Sequence, residues 1–244
     1  MISIILPARN EEKNILHVLG SIQKQRQPCP PYEVLVCDAG STDKTGSLVR
    51  GFIGRTNVRN IHLINYEHET HDHRKPNRAR VMNFCAGKAS GKVLLFLHAD
   101  CILPHTALSD VAAEIEKGVQ AGAFLVKYNN RNPLFRLGEI VSRWRTLHVH
   151  RFYGDQAIFI RADAFKSVGG YYDFDLFEDF DFCSRLRKRC KIGIIRKYVV
   201  SSARKYTKYG IINQYLDNQI VELLFRFGVE TSKLRKIYKE IRVR

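Results

Sequence analysis

The 244-residue sequence lacks the features of a membrane-spanning or exported chain. No apolar run approaches the roughly 20 residues that cross a bilayer. The chain starts with a strand-like apolar segment at residues 2–6 and has neither a basic start nor a cleavage site. We therefore expect a protein that is neither integral to a membrane nor exported by a signal peptide.

The sequence also lacks a Cys-x-x-Cys pair. Its six cysteines are dispersed, several of them in apolar strand or helix contexts: Cys29, Cys37, Cys85, Cys101, Cys183 and Cys190. Dispersed cysteines of this kind are typical of reduced proteins, in which they act as small apolar side chains. The sequence therefore predicts free thiols and a cytoplasmic location.

Acidic residues are scarce relative to basic ones. The chain has 24 Asp and Glu against 40 Lys and Arg, which gives a formal net charge of +16. This balance favours polyanionic partners, which include nucleotides, nucleic acid and an anionic membrane surface. A nucleic-acid-binding protein is one interpretation of the charge. It is not the favoured one, because the sequence has no recognisable zinc finger, helix-turn-helix signature or aromatic RNA-binding strand motif.

The segment at residues 92–104 combines a buried strand with a polar end. Residues 93–97 are all apolar, as a strand covered by helices on both faces requires. His98 and Asp100 follow at the carboxyl end, which is where open α/β sheets bind ligands, and residues two apart on an extended chain point to the same side. Asp100 is therefore a candidate ligand for a hard cation that binds phosphates. The alternative is that Asp100 caps a helix beginning near Thr106.

The order of predicted elements indicates an α/β fold. In the first half, strands at residues 2–6, 32–37, 58–66 and 93–97 alternate with helices, the last of which covers residues 77–89. This alternation predicts a mostly parallel central sheet flanked by helices. The second half is less regular, with strands at 121–128, 157–160 and 191–201 and helices beginning near residues 132, 177 and 211.

Four acidic positions fall next to predicted strand ends or helix starts. They are Asp38, Asp100, Asp155 and the pair Glu178 and Asp179. Arg78, Arg80 and Arg204 could bind phosphate through bidentate hydrogen bonds. Carboxylates for a metal, arginines for phosphates and a further acid for proton transfer suit a nucleotide-sugar site. The alternative is that all of these side chains serve as helix caps and surface ion pairs.

Six short motifs occur in order along the chain. They are Ile-Ile-Leu-Pro-Ala-Arg-Asn-Glu at 4–11, Asp-Ala-Gly-Ser-Thr-Asp at 38–43, Phe-Leu-His-Ala-Asp at 96–100, Gly-Asp-Gln at 154–156, Phe-Glu-Asp at 177–179 and Ser-Ala-Arg at 202–204. In order and spacing they resemble the family 2 glycosyltransferases of the GT-A fold, and Gly-Asp-Gln and Ser-Ala-Arg resemble a small soluble branch of that family. The resemblance implies one GT-A domain over residues 1–234, with a nucleotide-sugar-binding half at 1–104 and an acceptor and catalytic half at 105–234. Residues 235–244 would form a basic tail.

The resemblance further implies an inverting transfer of a sugar from a nucleotide-diphosphate donor to an acceptor hydroxyl, with Mg²⁺ or Mn²⁺ as cofactor. Asp179 would be the general base and Asp100 the metal ligand. Arg204 would stabilise the charge that develops on the diphosphate. The donor contacts implied in this way are Pro7, Ala8, Asn10, Glu11, Asp38, Arg78, His98 and Arg204. The residues expected to contact the acceptor or the transferred sugar are Asp155, Gln156 and Glu178.

Two features depart from the family's pattern. His98 stands at the first position of the usual Asp-x-Asp metal motif. A neutral imidazole could donate to ribose or phosphate or ligate the metal, but it cannot supply the missing negative charge. Some relatives also use a histidine after the base, yet none follows His150. A degenerate protein that binds nucleotide sugars without turnover is therefore a further interpretation.

The polar segment at residues 67–76 could mimic a zinc cluster. It contains the histidines and acids His68, His71, His73, Glu67, Glu69 and Asp72. Because no cysteine lies near and the spacing is crowded, we favour a polar loop beside the donor site.

The segment at residues 134–148 is an amphipathic helix. One side of this helix carries residues at three- and four-residue spacing: Leu134, Leu137, Val141, Trp144 and His148. This mostly apolar side predicts a helix that packs on the sheet, with Trp144 in the core. The alternative is peripheral contact with an anionic membrane inner face, aided by nearby arginines and the basic tail, where a lipid-linked acceptor could be met. The sequence does not define the acceptor, the sugar or the base of the donor.

Overall fold

The computed structural model describes residues 1–56, 59–70, 76–204, 206 and 210–241, with side chains described as far as residue 238. Within these residues one sheet contains the strands β1 (Ile2–Ala8), β2 (Tyr32–Asp38), β3 (Ile61–Asn65), β4 (Val93–Phe96), β5 (Cys101–Ile102), β6 (Ala121–Tyr128), β7 (Ile158–Arg161) and β8 (Ile192–Ser201). Their order across the sheet is β3-β2-β1-β4-β7-β6-β8-β5.

The helices of the described residues are α1 (Ile15–Gln23), α2 (Thr45–Thr56), α3 (Tyr66–Glu69), α4 (Arg78–Lys88), α5 (Ala107–Glu116), α6 (Pro133–Val149), α7 (Ala162–Ser167), α8 (Glu178–Arg189), α9 (Ile211–Arg226) and α10 (Thr231–Ile241). A 3-10 turn covers Gly154–Gln156. The apolar residues of α1, α2 and α5 pack on one face of the sheet, and those of α4, α7 and α8 pack on the other. The predicted helix at 77–89 therefore corresponds to α4, with the side chain of Asn77 capping it by accepting from Arg80 N–H.

The strand at the centre of the sheet is buried on both faces, as its sequence predicts. Val93 and Leu95 of β4 belong to one core cluster, and Leu94 and Phe96 belong to the other. The neighbouring strands β1, β2, β3 and β4 are mutually parallel. Their carboxyl ends therefore lie along one edge, where Asp38 ends β2 and His98 and Asp100 follow β4.

The second half of the chain makes the sheet mixed. β7 pairs antiparallel with β4 and with β6, and β5 pairs antiparallel with β8, while β6 and β8 are parallel. The predicted α/β fold with helices on both faces of the sheet is thus observed. The loops that leave β4, β6 and β8 converge beside the carboxyl edge of the first half and complete the site described below.

Two cysteines are paired, contrary to the sequence-based expectation. Cys37 at the end of β2 and Cys85 in α4 form a disulfide, and both residues are fully buried. The prediction of free thiols is therefore wrong for this pair and agrees with the structure for Cys29, Cys101, Cys183 and Cys190. The pairing has no sequence signature because it depends on α4 packing over β2, which brings together residues 48 positions apart.

The amphipathic helix forms, but its predicted orientation is wrong. Among the residues of α6, Phe135 and Thr146 are the ones that are buried, and the ring of Phe135 lies 5.2 Å from that of Tyr128 in β6. The predicted core residue Trp144 is 60% exposed, and Leu137 and Val141 are exposed as well. The helix therefore packs on β6 through the side opposite its apolar stripe.

The C-terminal helix α10 crosses the predicted boundary at residue 234. Leu234 is fully buried, and the Tyr238 hydroxyl donates to Asn218 Oδ1 of α9 at 2.7 Å. In the polar segment at 67–76, residues 67–69 belong to the short helix α3, where Glu69 pairs with Lys88 at 2.7 Å. His71, Asp72 and His73 lie outside the described residues. No helix in the described ranges is both long enough and apolar enough to cross a bilayer.

Candidate active site

Two clefts meet at the carboxyl edge of the sheet. The first, of about 510 Å³, is bordered by the end of β1, the start of α4 and part of α10. The second, of about 330 Å³, lies between α6, α9 and the start of α8. Both clefts are lined by the same five polar residues: Arg78, His98, Asp100, Glu178 and Tyr238. Any ligand group bound at these five residues is therefore accessible from both sides.

Most of the predicted site residues line these clefts. Pro7, Ala8 and Glu11 line the first cleft, and Asp155 and Asp179 line the second. Four described residues that the sequence places in the site line neither cleft: Asn10, Asp38, Gln156 and Arg204. The acids Asp100, Asp155, Glu178 and Asp179, which come from three separate segments of the chain, thus line these clefts, whereas Asp38 lines neither of them.

Asn10 and Asp38 form hydrogen bonds with the loop that follows β2. Asp38 Oδ1 accepts from Ser41 N–H at 2.8 Å, and Asn10 Oδ1 accepts from Thr42 N–H at 2.8 Å. The Asp38 bond closes the turn after β2, and the Asn10 bond holds that loop against the loop after β1. Asn10 has a φ of 55°, a conformation that asparagine tolerates better than most residues do. In the structure both side chains serve the loops, and direct donor contact stays a prediction for them.

Gln156 supports the site from the interior. It is fully buried, its amide donates to Phe124 O at 2.8 Å and to Thr146 Oγ1 at 3.0 Å, and its Oε1 accepts from Tyr153 N–H at 3.2 Å. Because its amide group is used by these neighbours, Gln156 fixes the turn that carries Asp155. Contact of Gln156 itself with an acceptor or a sugar stays a prediction.

The turn at Gly154–Gln156 connects the candidate base with the candidate metal ligand. Gly154 N–H donates to Asp179 Oδ2 at 2.8 Å, and Asp179 Oδ1 accepts from Phe180 N–H at 2.8 Å. A Cβ atom on Gly154 would lie 2.4 Å from His98 Nε2. The glycine of the Gly-Asp-Gln motif is therefore needed for His98 and Asp179 to approach the same point.

His98, Asp100 and Cys101 form a group whose ligand atoms all lie within 4.8 Å of one another. A carboxylate and an imidazole suit Mn²⁺, whereas Mg²⁺ prefers oxygen ligands alone. Burial, with Asp100 adding to its effect, raises the pKa of the Cys101 thiol well above its usual value, so this sulfur stays protonated and is a poor ligand. His98 and Asp100 therefore fit a divalent cation that takes its other ligands from phosphates and water.

The carboxylates around the second cleft crowd one another. Burial raises the pKa of Asp155 to about 6; Arg145 opposes this shift, and the charges of Asp179 and Asp100 add to it. The Tyr128 hydroxyl donates to Asp155 Oδ2 at 3.3 Å and favours the ionised form. The charges of Asp179 and Asp100 thus disfavour ionisation of Asp155, and a bound cation would relieve this repulsion.

The three arginines predicted to bind phosphate are each paired with a carboxylate. Arg78 Nη1 donates to Glu178 Oε1 at 2.8 Å, and the Glu178 residue is only 4% exposed. Arg204 pairs with Glu11 at 2.8 Å, and Arg80 pairs with Asp173 at 2.8 Å. Of the three, Arg78 is the one that lines both clefts.

Arg78 and Glu178 each influence the pKa of the other. Chiefly through Glu178, the pKa of Arg78 is raised above its ordinary value, so the guanidinium stays charged. Burial raises the pKa of Glu178, and Arg78 opposes that shift. The ion pair with Arg78 therefore offsets part of the cost of burying the Glu178 carboxyl group.

Several lining residues have no signal in the sequence. The Tyr153 hydroxyl donates to Glu222 Oε2 at 3.0 Å, and the Arg145 guanidinium lies 4.1 Å from the centre of the Tyr153 ring. Arg235 of α10 reaches the first cleft and donates to Asp175 Oδ1 at 2.9 Å. Arg145, Glu222 and Arg235 come from three different helices, and only the packing of these helices places their side chains at the site.

Residues 3–179 match the family model described as glycosyl transferase family 2. The chain belongs to this family. The matched region begins in β1, contains His98 and Asp100, and ends at Asp179. The resemblance to family 2 glycosyltransferases that the sequence motifs indicated is thereby confirmed.

Relatives of this family 2 glycosyltransferase share its sequence to different extents. It is 28% identical over 227 residues to the PGL/p-HBAD biosynthesis glycosyltransferase of Mycobacterium tuberculosis, covering 92% of this chain and 84% of the relative. It is 33% identical over 115 residues to the poly(ribitol-phosphate) beta-N-acetylglucosaminyltransferase TarS of Staphylococcus aureus. That match covers 47% of this chain, which spans only 19% of TarS.

Solved structures confirm the predicted GT-A-type fold. The crystal structure of S. aureus TarS 1–349 superposes with a TM-score of 0.68 and 20% identity, covering 90% of this chain and 65% of TarS 1–349. The mannosyltransferase PcManGT from Pyrobaculum calidifontis, in complex with GDP-Man and Mn²⁺, superposes with a TM-score of 0.68 and 19% identity, covering 98% of this chain and 68% of that one. At this level of identity the likeness concerns the fold.

Proposed function

We propose that this family 2 glycosyltransferase transfers a sugar from a nucleotide-diphosphate donor to an acceptor hydroxyl with inversion at the sugar carbon. The observation that carries the proposal is the meeting of two clefts at Asp100, with Asp179 lining only the second. A donor in the first cleft would present its sugar at the junction. An acceptor in the second cleft would reach the same point beside Asp179.

The donor class is supported by the neighbours and by the charge of the first cleft. Crystal structures of S. aureus TarS contain UDP-GlcNAc or UDP, and PcManGT contains GDP-Man. In this chain Arg78 lines the first cleft, and Arg204 lies beside it through its ion pair with Glu11. We propose that a diphosphate draws on these two guanidinium groups, with Pro7 and Ala8 contacting the nucleoside.

A divalent cation, Mn²⁺ or Mg²⁺, is the proposed cofactor. Asp100 would hold it, with His98 as a second ligand, and the imidazole ligand favours Mn²⁺. When bound, such a cation neutralises diphosphate charge and favours departure of the nucleotide. The carboxylate crowding around Asp155 supports a cation at this place.

Asp179 is the proposed general base. Hydrogen bonds from Gly154 N–H and Phe180 N–H fix its two oxygens, so one carboxylate lone pair can be aimed at the second cleft. Asp179 would take the proton of the acceptor hydroxyl as the oxygen bonds to the sugar carbon. The bond between that carbon and the diphosphate oxygen breaks on the opposite face. Proton transfer by a positioned group is typically worth about 10²- to 10⁴-fold in rate.

Two variants and one ligand screen test the proposal. A panel of nucleotide sugars is screened for thermal stabilisation with and without Mn²⁺, because a ligand at a hundredfold excess over its dissociation constant stabilises by about 2.7 kcal/mol. Asp179→Asn should keep this stabilisation and lose transfer by about 10²- to 10⁴-fold. Asp100→Ala should lose the Mn²⁺-dependent part of the stabilisation. Asp163→Asn, which changes an exposed acid of α7, is the matched control.

Retained turnover in Asp179→Asn would remove this residue from the mechanism. Unchanged Mn²⁺ dependence in Asp100→Ala would remove Asp100 from the proposed metal site.

His98, at the position of an acid in the family's motif, favours one second candidate function, that of a nucleotide-sugar-binding protein without turnover. Donor binding without transfer or hydrolysis in the wild-type chain would identify it. A cytoplasmic location stays a prediction, one that the Cys37–Cys85 disulfide does not favour.

A further inference from the structure

Exposed apolar side chains are concentrated on two helices. Of the twelve large hydrophobic residues exposed in the described part of the chain, ten lie on α6 or on α9 and its C-terminal cap. We call these ten residues the apolar face: Leu134, Leu137, Ile140, Val141, Trp144, Ile212, Leu216, Ile220, Leu223 and Phe227. A large exposed apolar surface of this kind marks an interaction site.

The two helices border the second cleft together. A Cβ atom on Gly138 of α6 would lie 1.6 Å from the Tyr215 hydroxyl oxygen of α9, so the tyrosine crosses α6 where there is no side chain. Further along the chain, Arg151 follows α6, and its Nη1 atom lies 3.8 Å from Glu222 Oε1 of α9. Because the contacts follow the same chain order on both helices, α6 and α9 run in the same direction.

The exposed stripes of the two helices point to the same side. Successive residues of a helix are rotated by about 100° about its axis. Viewed along that axis, Leu137 and Trp144 lie between roughly a quarter and a third of a turn from Gly138 in one sense of rotation. Leu216 and Leu223 lie roughly a quarter turn from Tyr215 in the opposite sense of rotation. For parallel helices that touch through Gly138 and Tyr215, opposite senses place both stripes on one surface.

Basic side chains border the apolar face. On α6, Arg136 and Arg143 are exposed at four and three positions from Ile140, which makes them its neighbours on the helix surface. On α9, Arg226 stands three positions after Leu223 and its side chain is 45% exposed. The whole chain has a formal charge of +16, which opposes pairing with a second copy of itself and favours an anionic surface.

We propose that the apolar face docks on an anionic lipid bilayer. Helices that lie at a membrane interface insert leucine, isoleucine and tryptophan side chains to the depth of the headgroups and carry basic residues beside them. Val141 is 57% exposed on this face and also lines the second cleft, so docking places that cleft at the bilayer surface. A membrane-borne acceptor would then have direct access to Asp179, a consequence that rests on the proposed function. The docking itself does not.

The single tryptophan of the chain provides the measurement. Trp144 lies on the apolar face and is 60% exposed. Vesicles of phosphatidylglycerol and phosphatidylcholine should shift its emission to the blue, and lipids brominated in their acyl chains should quench it. Vesicles of phosphatidylcholine alone should bind more weakly, because they lack the anionic charge. Absence of any emission change with anionic vesicles overturns the proposal.

A variant pair locates the contact. Ile140→Glu combined with Ile220→Glu places two charges on the apolar face and should weaken vesicle binding at least about tenfold. Ser47→Glu combined with Thr56→Glu adds the same charge to exposed positions of α2, which packs at the β3 edge of the sheet, and should bind nearly as well as wild type. Equal weakening in both pairs would assign binding to net charge alone and overturn the proposal.

Two further measurements, of the oligomeric state and of vesicle binding by Asp179→Asn, distinguish membrane docking from the alternative explanations. One outcome would be that the wild-type chain sediments as a dimer and does not bind vesicles, while the Ile140→Glu and Ile220→Glu double variant is monomeric. The apolar face would then be a contact between two copies of the chain, and the proposal would fail. Asp179→Asn should bind vesicles like wild type, because docking needs no transfer. Vesicle binding that survives together with a failed donor screen would overturn only the proposed function.

Discussion

The backbone N–H of Gly154 lies 2.8 Å from Oδ2 of Asp179 and donates a hydrogen bond to it. The same glycine packs so closely on His98 that a Cβ atom would lie 2.4 Å from Nε2. One residue without a side chain thus sets the spacing between the candidate base and a candidate metal ligand.

Gly154→Ala should therefore reduce transfer more than it reduces stability. The added methyl group would displace the His98 ring, which is the flexible end of a side chain, while the backbone N–H stays available to Asp179. We expect a loss in kcat of at least about tenfold, because displacement by about 1 Å at a reacting centre can cost about a hundredfold. Steady-state kinetics and a urea titration measure the two effects.

The matched control for this prediction is Gly20→Ala in α1. A Cβ atom at Gly20 would meet no atom within 4 Å. This variant should keep full activity and gain up to about 1 kcal/mol of stability from helix propensity. Full activity in Gly154→Ala would show that the close approach to His98 is not needed for transfer.

Asp155→Asn should stabilise the metal-free protein at neutral pH. The pKa of Asp155 in the folded state is about 6, against about 3.9 in an unfolded chain. As the pH rises from about 4 to about 6, the unfolded state releases this proton first, so the free energy of unfolding falls across that window. Asparagine does not ionise, so the variant does not undergo this fall in the free energy of unfolding. We expect the variant to be more stable by about 1–3 kcal/mol at pH 7 and the gap to close towards pH 4.

Urea titrations in the presence of a chelator, at a series of pH values from about 4.5 to 7.5, measure this gap. The Tyr128 hydroxyl can still donate to the amide oxygen, so the hydrogen bond seen at 3.3 Å is not itself lost. A gap that does not change with pH would show that Asp155 ionises normally in the folded protein.

Glu178→Gln should destabilise the fold, because it leaves the charge of Arg78 without its carboxylate partner in a partly enclosed site. The Glu178 side chain is 5% exposed and that of Arg78 is 41% exposed, so we expect a cost of about 1–3 kcal/mol, below the value for a fully buried pair. The exposed pair Arg161 and Asp163 is the comparison, and Asp163→Asn should cost no more than about 1 kcal/mol. Equal costs for the two variants would contradict the structural role of the Arg78 pair.

Thiol counting tests the disulfide between Cys37 and Cys85. The denatured protein should react at four thiols without a reductant and at six after reduction. Reduction should lower the free energy of unfolding by about 2–4 kcal/mol, because the bond closes a long loop of the unfolded chain. Six reactive thiols in the unreduced protein would restore the expectation drawn from the sequence.

Local sequence determined the strands and the acids at their ends. Residues 93–96 are apolar at successive positions, and successive side chains of a strand face opposite sides, so burial of β4 on both faces followed from the residues alone. The position of Asp100 after β4 and of Asp179 in the first turn of α8 followed in the same way. These features depend on neighbours within a few residues.

Tertiary structure decided which distant groups meet and which face of a helix is covered. The apolar stripe of α6 predicts burial, yet the helix packs on β6 through Phe135, and a stripe alone cannot tell a sheet from a membrane as its partner. The pairing of Cys37 with Cys85, the support of Asp179 by Gly154 and the reach of Arg235 into the first cleft depend on packing between elements distant in sequence. No local pattern encodes them, because their energies arise only once the sheet has assembled.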